Sequence, residues 1–154
     1  MKLHRDLREF VELLNLHRVE YLVVGAHAVA FYGHPRFTGD IDFWVRPEIG
    51  NAARVIKVLH AFGFDQLGLA VKDFVELGRI VQLGQPPNRI DLLTSISGVN
   101  FDSAWRSREE GVLDGLPASF LGWDSLIQNK LASGRPKDVA DVAQLKAIAA
   151  KRRE

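Results

Sequence analysis

Apolar residues along the chain fall into short blocks whose period changes from block to block. Leu3, Leu7, Phe10, Val11 and Leu14 recur at helical spacing and predict an amphipathic helix over residues 2 to 17. "EYLVVG" is instead a continuous apolar run ending at Gly25, the pattern of a short, fully buried strand. "AHAVAFYG" predicts a short helix stopped by Gly33, and His34-Pro35 then breaks regular structure. "DIDFWV" reads as a second strand. Val55, Ile56, Leu59 and Phe62 share one face of a helix over residues 49 to 62.

The second half begins with strands. "GRIVQLGQPPNRIDLLTSI" predicts two of them, joined by a turn from Gly84 to Asn88. "EEGVLDGLPASFLG" predicts a hairpin around Asp114-Gly115. Two helices close the chain. One runs from about Asp124 to Ser133 and stops at Gly134; the other opens on Pro136 and runs to about Ala150, leaving "KRRE" as a frayed tail. The expected fold class is α/β (α+β): a mixed β-sheet flanked by helices, with a small C-terminal helical part. The whole of 1–154 is expected to form one domain, with an α/β core over about 1–122 and a helix pair over about 123–152.

Composition narrows the function classes. The 154 residues are 47% hydrophobic and 25% charged, as in ordinary globular proteins. Twenty basic residues against nineteen acidic leave a net charge of +1, so no global field draws in nucleic acid or an anionic membrane. That balance, with no basic-aromatic patch, counts against a plain RNA-binding domain. The absence of cysteine excludes disulfides, thiolate metal sites and cysteine nucleophiles. The charged start "MKLHRDLREFVELL" has no apolar signal core, and no apolar run approaches a membrane span, so a cytoplasmic protein is expected.

Against this background three acids stand out. Asp40 and Asp42 flank Ile41 at the mouth of an apolar strand and point to one face of it, about 6.6 Å apart along the strand. Two carboxylates so placed can hold divalent ions about 4 Å apart, the arrangement of two-metal phosphoryl transfer. Hard oxygen ligands suit Mg²⁺. Asp91 interrupts the apolar run "RIDLL"; on a neighbouring strand it would complete a triad and serve as general base toward a hydroxyl. The alternatives are a turn residue at Asp40, an exposed strand position at Asp42, and an ion pair between Asp91 and Arg89. Upstream, Gly25 ends a strand and opens a helix, where free backbone N–H groups can seat a phosphate. Arg36 and Thr38, just before the acid pair, are candidate phosphate contacts.

Together these residues resemble a known signature. "VVGAHAVAFYGHPRFTGDIDFWV" is similar to that of the DNA polymerase beta superfamily of nucleotidyltransferases: a glycine and a small residue at a helix start, a D-x-D, and a third acid on a later strand. "LIQNKLASGRPKDVADVAQL" resembles the C-terminal motif of abortive-infection type nucleotidyltransferase toxins and their small bacterial relatives, through Lys130, Lys137, Asp138 and Asp141. The resemblance spans roughly residues 20 to 146. It implies a nucleoside triphosphate (NTP) held with two Mg²⁺ ions, or Mn²⁺ in their place, and transfer of a nucleoside monophosphate to an acceptor hydroxyl on RNA, protein or a small molecule. Asp40, Asp42 and Asp91 would then be metal-binding and catalytic. Gly25, Ala26, Lys130 and Asp138 would belong to the nucleotide site. Ala26 stands where many relatives carry Gly or Ser, which keeps the backbone seat and loses a hydroxyl. The competing expectation is a non-catalytic nucleotide-binding or partner-binding module, one half of a toxin–antitoxin pair whose other half is an antitoxin-like protein.

Overall fold

The apolar runs assemble into one six-stranded mixed sheet in the order β3-β4-β2-β1-β6-β5. The computed structural model describes residues 3–36, 38–64 and 67–153. The strands are β1 (Tyr21–Val24), β2 (Asp40–Val45), β3 (Ile80–Leu83), β4 (Arg89–Leu93), β5 (Glu109–Leu113) and β6 (Leu116–Phe120). The helices are α1 (Arg5–Leu16), α2 (Gly25–Phe31), α3 (Ile49–Phe62), α4 (Phe101–Arg106), α5 (Trp123–Ser133) and α6 (Pro136–Arg152). This is the mixed α/β class expected.

Side-chain alternation divides the core in two. Tyr21 and Val23 of β1, with Ile41, Phe43 and Val45 of β2, pack against α1 and α3. Phe43 meets Phe10 and Tyr21 at ring-centroid distances of 5.8 and 5.6 Å. Leu22, Val24 and Trp44 face the other way and pack with Ala28 and Val29 of α2, Phe101 of α4, Leu126 of α5 and Leu145 of α6.

Turn chemistry fixes both hairpins. Asp114 and Gly115 both have positive φ, so β5 and β6 pair tightly with Leu113 opposite Leu116. β3 and β4 pair antiparallel with Leu83 opposite Ile90. β2 lies antiparallel to β1 and parallel to β4.

The structure adds elements the periodicity does not predict. A 3₁₀ turn spans Val71–Phe74 and buries Phe74. α4 separates β4 from β5, where the pattern gives an unbroken run of strands; Asn100 caps it by accepting from the Ser103 N–H. α6 runs on through Lys151 and Arg152 instead of fraying at Ala150. The expected start of the first helix at Lys2, and Glu154 of the tail, lie outside the described residues. Among the described residues no helix is long and apolar enough to cross a membrane.

Candidate active site

β2 carries core on one face and chemistry on the other. Ile41, Phe43 and Val45 are fully buried beneath the sheet, which turns Asp40 and Asp42 to the opposite face. The parallel register with β4 sets Asp91 directly across from Asp42 and Arg89 across from Asp40. Spacing within one strand and register between two thus bring three carboxylates together. Each of Asp40, Asp42 and Asp91 offers an oxygen within 4.8 Å of the others.

β1 delivers the helix start at Gly25 to the same spot. Val24 pairs with Asp42, and α2 starts at the next residue with no side-chain cap on its first N–H groups. Gly25 has φ +68°, and a Cβ there would overlap Oδ2 of Asp42 and stand 3.1 Å from its Cγ. Only glycine lets the helix start approach that carboxylate. Gly25, Ala26 and the triad line a cleft of about 800 Å³. Ser95, Ser97, Asn129, Lys130, Arg135 and Lys137 form further parts of its wall.

The crowding of like charges is visible at Asp42. Burial raises the affinity of its carboxyl for a proton, and the charge of Asp40, a proton shared with Asp91 and the charge of Asp91 raise it further against the opposing pull of Arg89; the pKa is pushed up to about 7. A closely spaced set of carboxylate oxygens, beside a cradle a Cβ would fill, fits a hard divalent cation. A positive group already lies across part of this set. Arg89 donates from Nε to Asp91 Oδ1 at 3.0 Å, and from Nη2 to Asp91 Oδ2 at 3.2 Å and Asp40 Oδ2 at 2.5 Å. The ion pair read as the alternative for Asp91 is therefore present, and it coexists with the triad.

The remaining candidates fall into two groups. Thr38 lines the cleft and donates to Asp40 Oδ1 at 3.0 Å, so it orients that carboxylate. Arg36 also lines the cleft, and its guanidinium grips Asp141 with Nη1 and Nη2 at 2.5 and 3.0 Å. Lys130 is buried on α5 and pairs with Asp138 at 3.0 Å and Asp141 at 3.1 Å on α6. Ser133 and Arg135 complete Asp138 at 2.5 and 2.9 Å. Burial works to raise the Asp138 carboxyl, but the hydrogen bonds from Ser133 and Lys130, the charge of Lys130 and the bond from Arg135 outweigh it and hold it at about 2. Asp141 is likewise lowered, burial being outweighed by Arg36 and Lys130. The motif read as part of a nucleotide site forms a largely buried charge network along the cleft wall, joining the segment before β2 to α5 and α6.

Sequence reasoning gave Arg89 no place in the site. The i, i+2 spacing of Arg89 and Asp91 puts both on one face of β4 and was the available signal. Ser95, Ser97 and Asn129 carry no comparable pattern.

The geometry now has a family to sit in. Residues 2–150 match the family described as nucleotidyltransferase of unknown function (DUF6036). The chain belongs to that family. The resemblance carried by Gly25, Asp40, Asp42 and Asp91 is borne out at this level. The fold is similar to the crystal structure of a candidate nucleotidyltransferase (TM1012) from Thermotoga maritima, with a TM-score of 0.60 over 91% of this chain and 89% of that one. The two are 17% identical, so the likeness is one of fold. No curated protein matches the sequence.

Proposed function

We propose that this member of the nucleotidyltransferase family is an active enzyme, working as a single domain, that moves a nucleoside monophosphate from an NTP to an acceptor hydroxyl. The observation that carries the reading is the convergence of Asp40, Asp42 and Asp91, with ligand oxygens within 4.8 Å of one another, beside the helix start at Gly25.

Asp40 and Asp42 would hold Mg²⁺ or Mn²⁺, with Asp91 as the third ligand. When bound, such ions neutralise phosphate charge and polarise the reacting oxygens. The protein's own part is positioning. Gly25 and Ala26 present backbone N–H groups to the triphosphate, and Arg135 and Lys137 supply positive charge on the cleft wall. Thr38 fixes the Asp40 carboxylate. Asp91 accepts the hydroxyl proton as the acceptor oxygen bonds to the α-phosphorus; the bond from that phosphorus to the β-phosphate oxygen breaks and pyrophosphate leaves. Lys130, held by Asp138 and Asp141, keeps the cleft wall in place.

The test is transfer of label from α-³²P NTP with Mg²⁺ or Mn²⁺, comparing the protein with Asp42→Asn and Asp91→Asn. Loss of label transfer and pyrophosphate release in both variants is expected; equal release from all three overturns the assignment.

Arg89 favours one second reading. A protein that never exchanged this guanidinium for metal would bind nucleotide, or an antitoxin-like partner in the cytoplasm, without turnover. Calorimetry with each Mn²⁺–NTP complex separates binding without pyrophosphate release from catalysis.

A further inference from the structure

We propose that Arg89 is a resident counter-cation of the acid cluster, holding the place of one divalent ion until a metal–NTP complex displaces it. The inference deepens the nucleotidyltransferase reading and rests on it.

Arg89 and Asp91 share one face of β4, and Arg89 is opposite Asp40 in the parallel register. Its guanidinium therefore reaches both acids at once. Nε and Nη2 engage the two oxygens of Asp91 at 3.0 and 3.2 Å, and Nη2 also engages Oδ2 of Asp40 at 2.5 Å. Thr38 takes Oδ1 of Asp40. Asp42 shares a proton with Asp91, but among the described residues no cationic side chain pairs with it. The oxygens of two triad members are thus held by Arg89 and Thr38, and those of the third face no cation.

Charge leads to the same conclusion. With all three acids ionised the cluster carries three negative charges, and Arg89 reduces them to two. One divalent cation then neutralises the cluster, so a second has little to gain by entering alone. An NTP brings several negative charges of its own and normally travels with a metal, so its arrival supplies both the second ion and a new partner for the guanidinium. Arginine keeps its proton at all ordinary pH values, so the contact opens by exchange and not by titration. A guanidinium fork on a carboxylate also resembles a metal in spanning two oxygens with a positive centre. The free protein therefore takes a single ion weakly, and full metal loading is coupled to nucleotide.

The experiment is a Mn²⁺ titration without nucleotide, followed by the EPR signal of the free ion. The wild-type protein should take one ion. Arg89→Gln should take two, or bind the first at least about tenfold more tightly, the size of effect seen when neighbours of metal ligands are altered. Arg89→Lys, which keeps a charge but loses the fork, should fall between, and it serves alone where the Gln variant does not fold. Two ions in the wild type, or no gain in either variant, overturns the proposal. Asp42→Asn in the same titration separates the two readings: undiminished binding there removes the metal site itself, whatever Arg89 does.

Discussion

Gly25 and Asp42 touch across the junction of β1 and α2 so closely that no side chain fits between them. The left-handed backbone at Gly25 adds a second restriction, since any other residue there is strained by about 1–2 kcal/mol. Gly25→Ala should therefore destabilise the protein modestly and push the Asp42 carboxylate out of the triad. Mn²⁺ affinity should fall at least about tenfold, while chemical denaturation shows a loss of no more than a few kcal/mol. Unchanged metal affinity would mean that the glycine serves the turn alone.

Asp42 makes the metal-free protein sensitive to alkali. Its folded-state pKa of about 7 lies above the ordinary value of 3.8, so the folded chain binds this proton more tightly than the unfolded one. Its contribution is fully present below about pH 4 and is lost as pH rises through about 7. In EDTA, Tm should decline from pH 5.5 to 8. Asp42→Asn should flatten that decline, and Mn²⁺ at pH 8 should raise the wild-type Tm. A wild-type Tm that climbs over this range contradicts the argument.

Lys130 is the sole positive side chain in direct contact with both Asp138 and Asp141 among the described residues. Lys130→Met removes a buried partner and leaves two carboxylates less than fully compensated, a change of about 3–5 kcal/mol in comparable pairs. Arg36, Arg135 and Ser133 still serve those carboxylates, so the lower end of the range is expected. Urea unfolding measures it. A variant of native stability would instead free Lys130 for direct work on the triphosphate.

Thr38→Val tests positioning without removing a charge. The hydrogen bond it deletes is worth about 1 kcal/mol in stability. Its loss at Asp40 Oδ1 should weaken Mn²⁺ binding by about tenfold. Thr38→Ser, which restores the hydroxyl, should recover the affinity.

The parts of this site legible in the sequence are those in which a polar residue interrupts an apolar strand. Asp40, Asp42 and Asp91 announce themselves because Ile41, Phe43, Ile90 and Leu92 are otherwise continuous core. Gly25 is legible from the strand-to-helix junction. Arg89 is different: pairing with Asp91 follows from i, i+2 spacing, but its reach to Asp40 requires the register of β2 on β4. Likewise the spacing of Lys130, Asp138 and Asp141 is plain, yet their mutual pairing depends on how α5 lies against α6. α4 escapes periodicity because its six residues hold only two buried positions, Phe101 and Ala104. Its one local sign is the Asn100 cap.

The parallel contact between β2 and β4 has a kinetic consequence. Both hairpins, β3–β4 and β5–β6, close through short turns, whereas Arg89 and Asp40 are 49 residues apart. Closing that long loop is slow compared with local pairing. Both hairpins are therefore expected to close before β2 pairs with β4, so the step that sets Asp42 beside Asp91 comes late in folding.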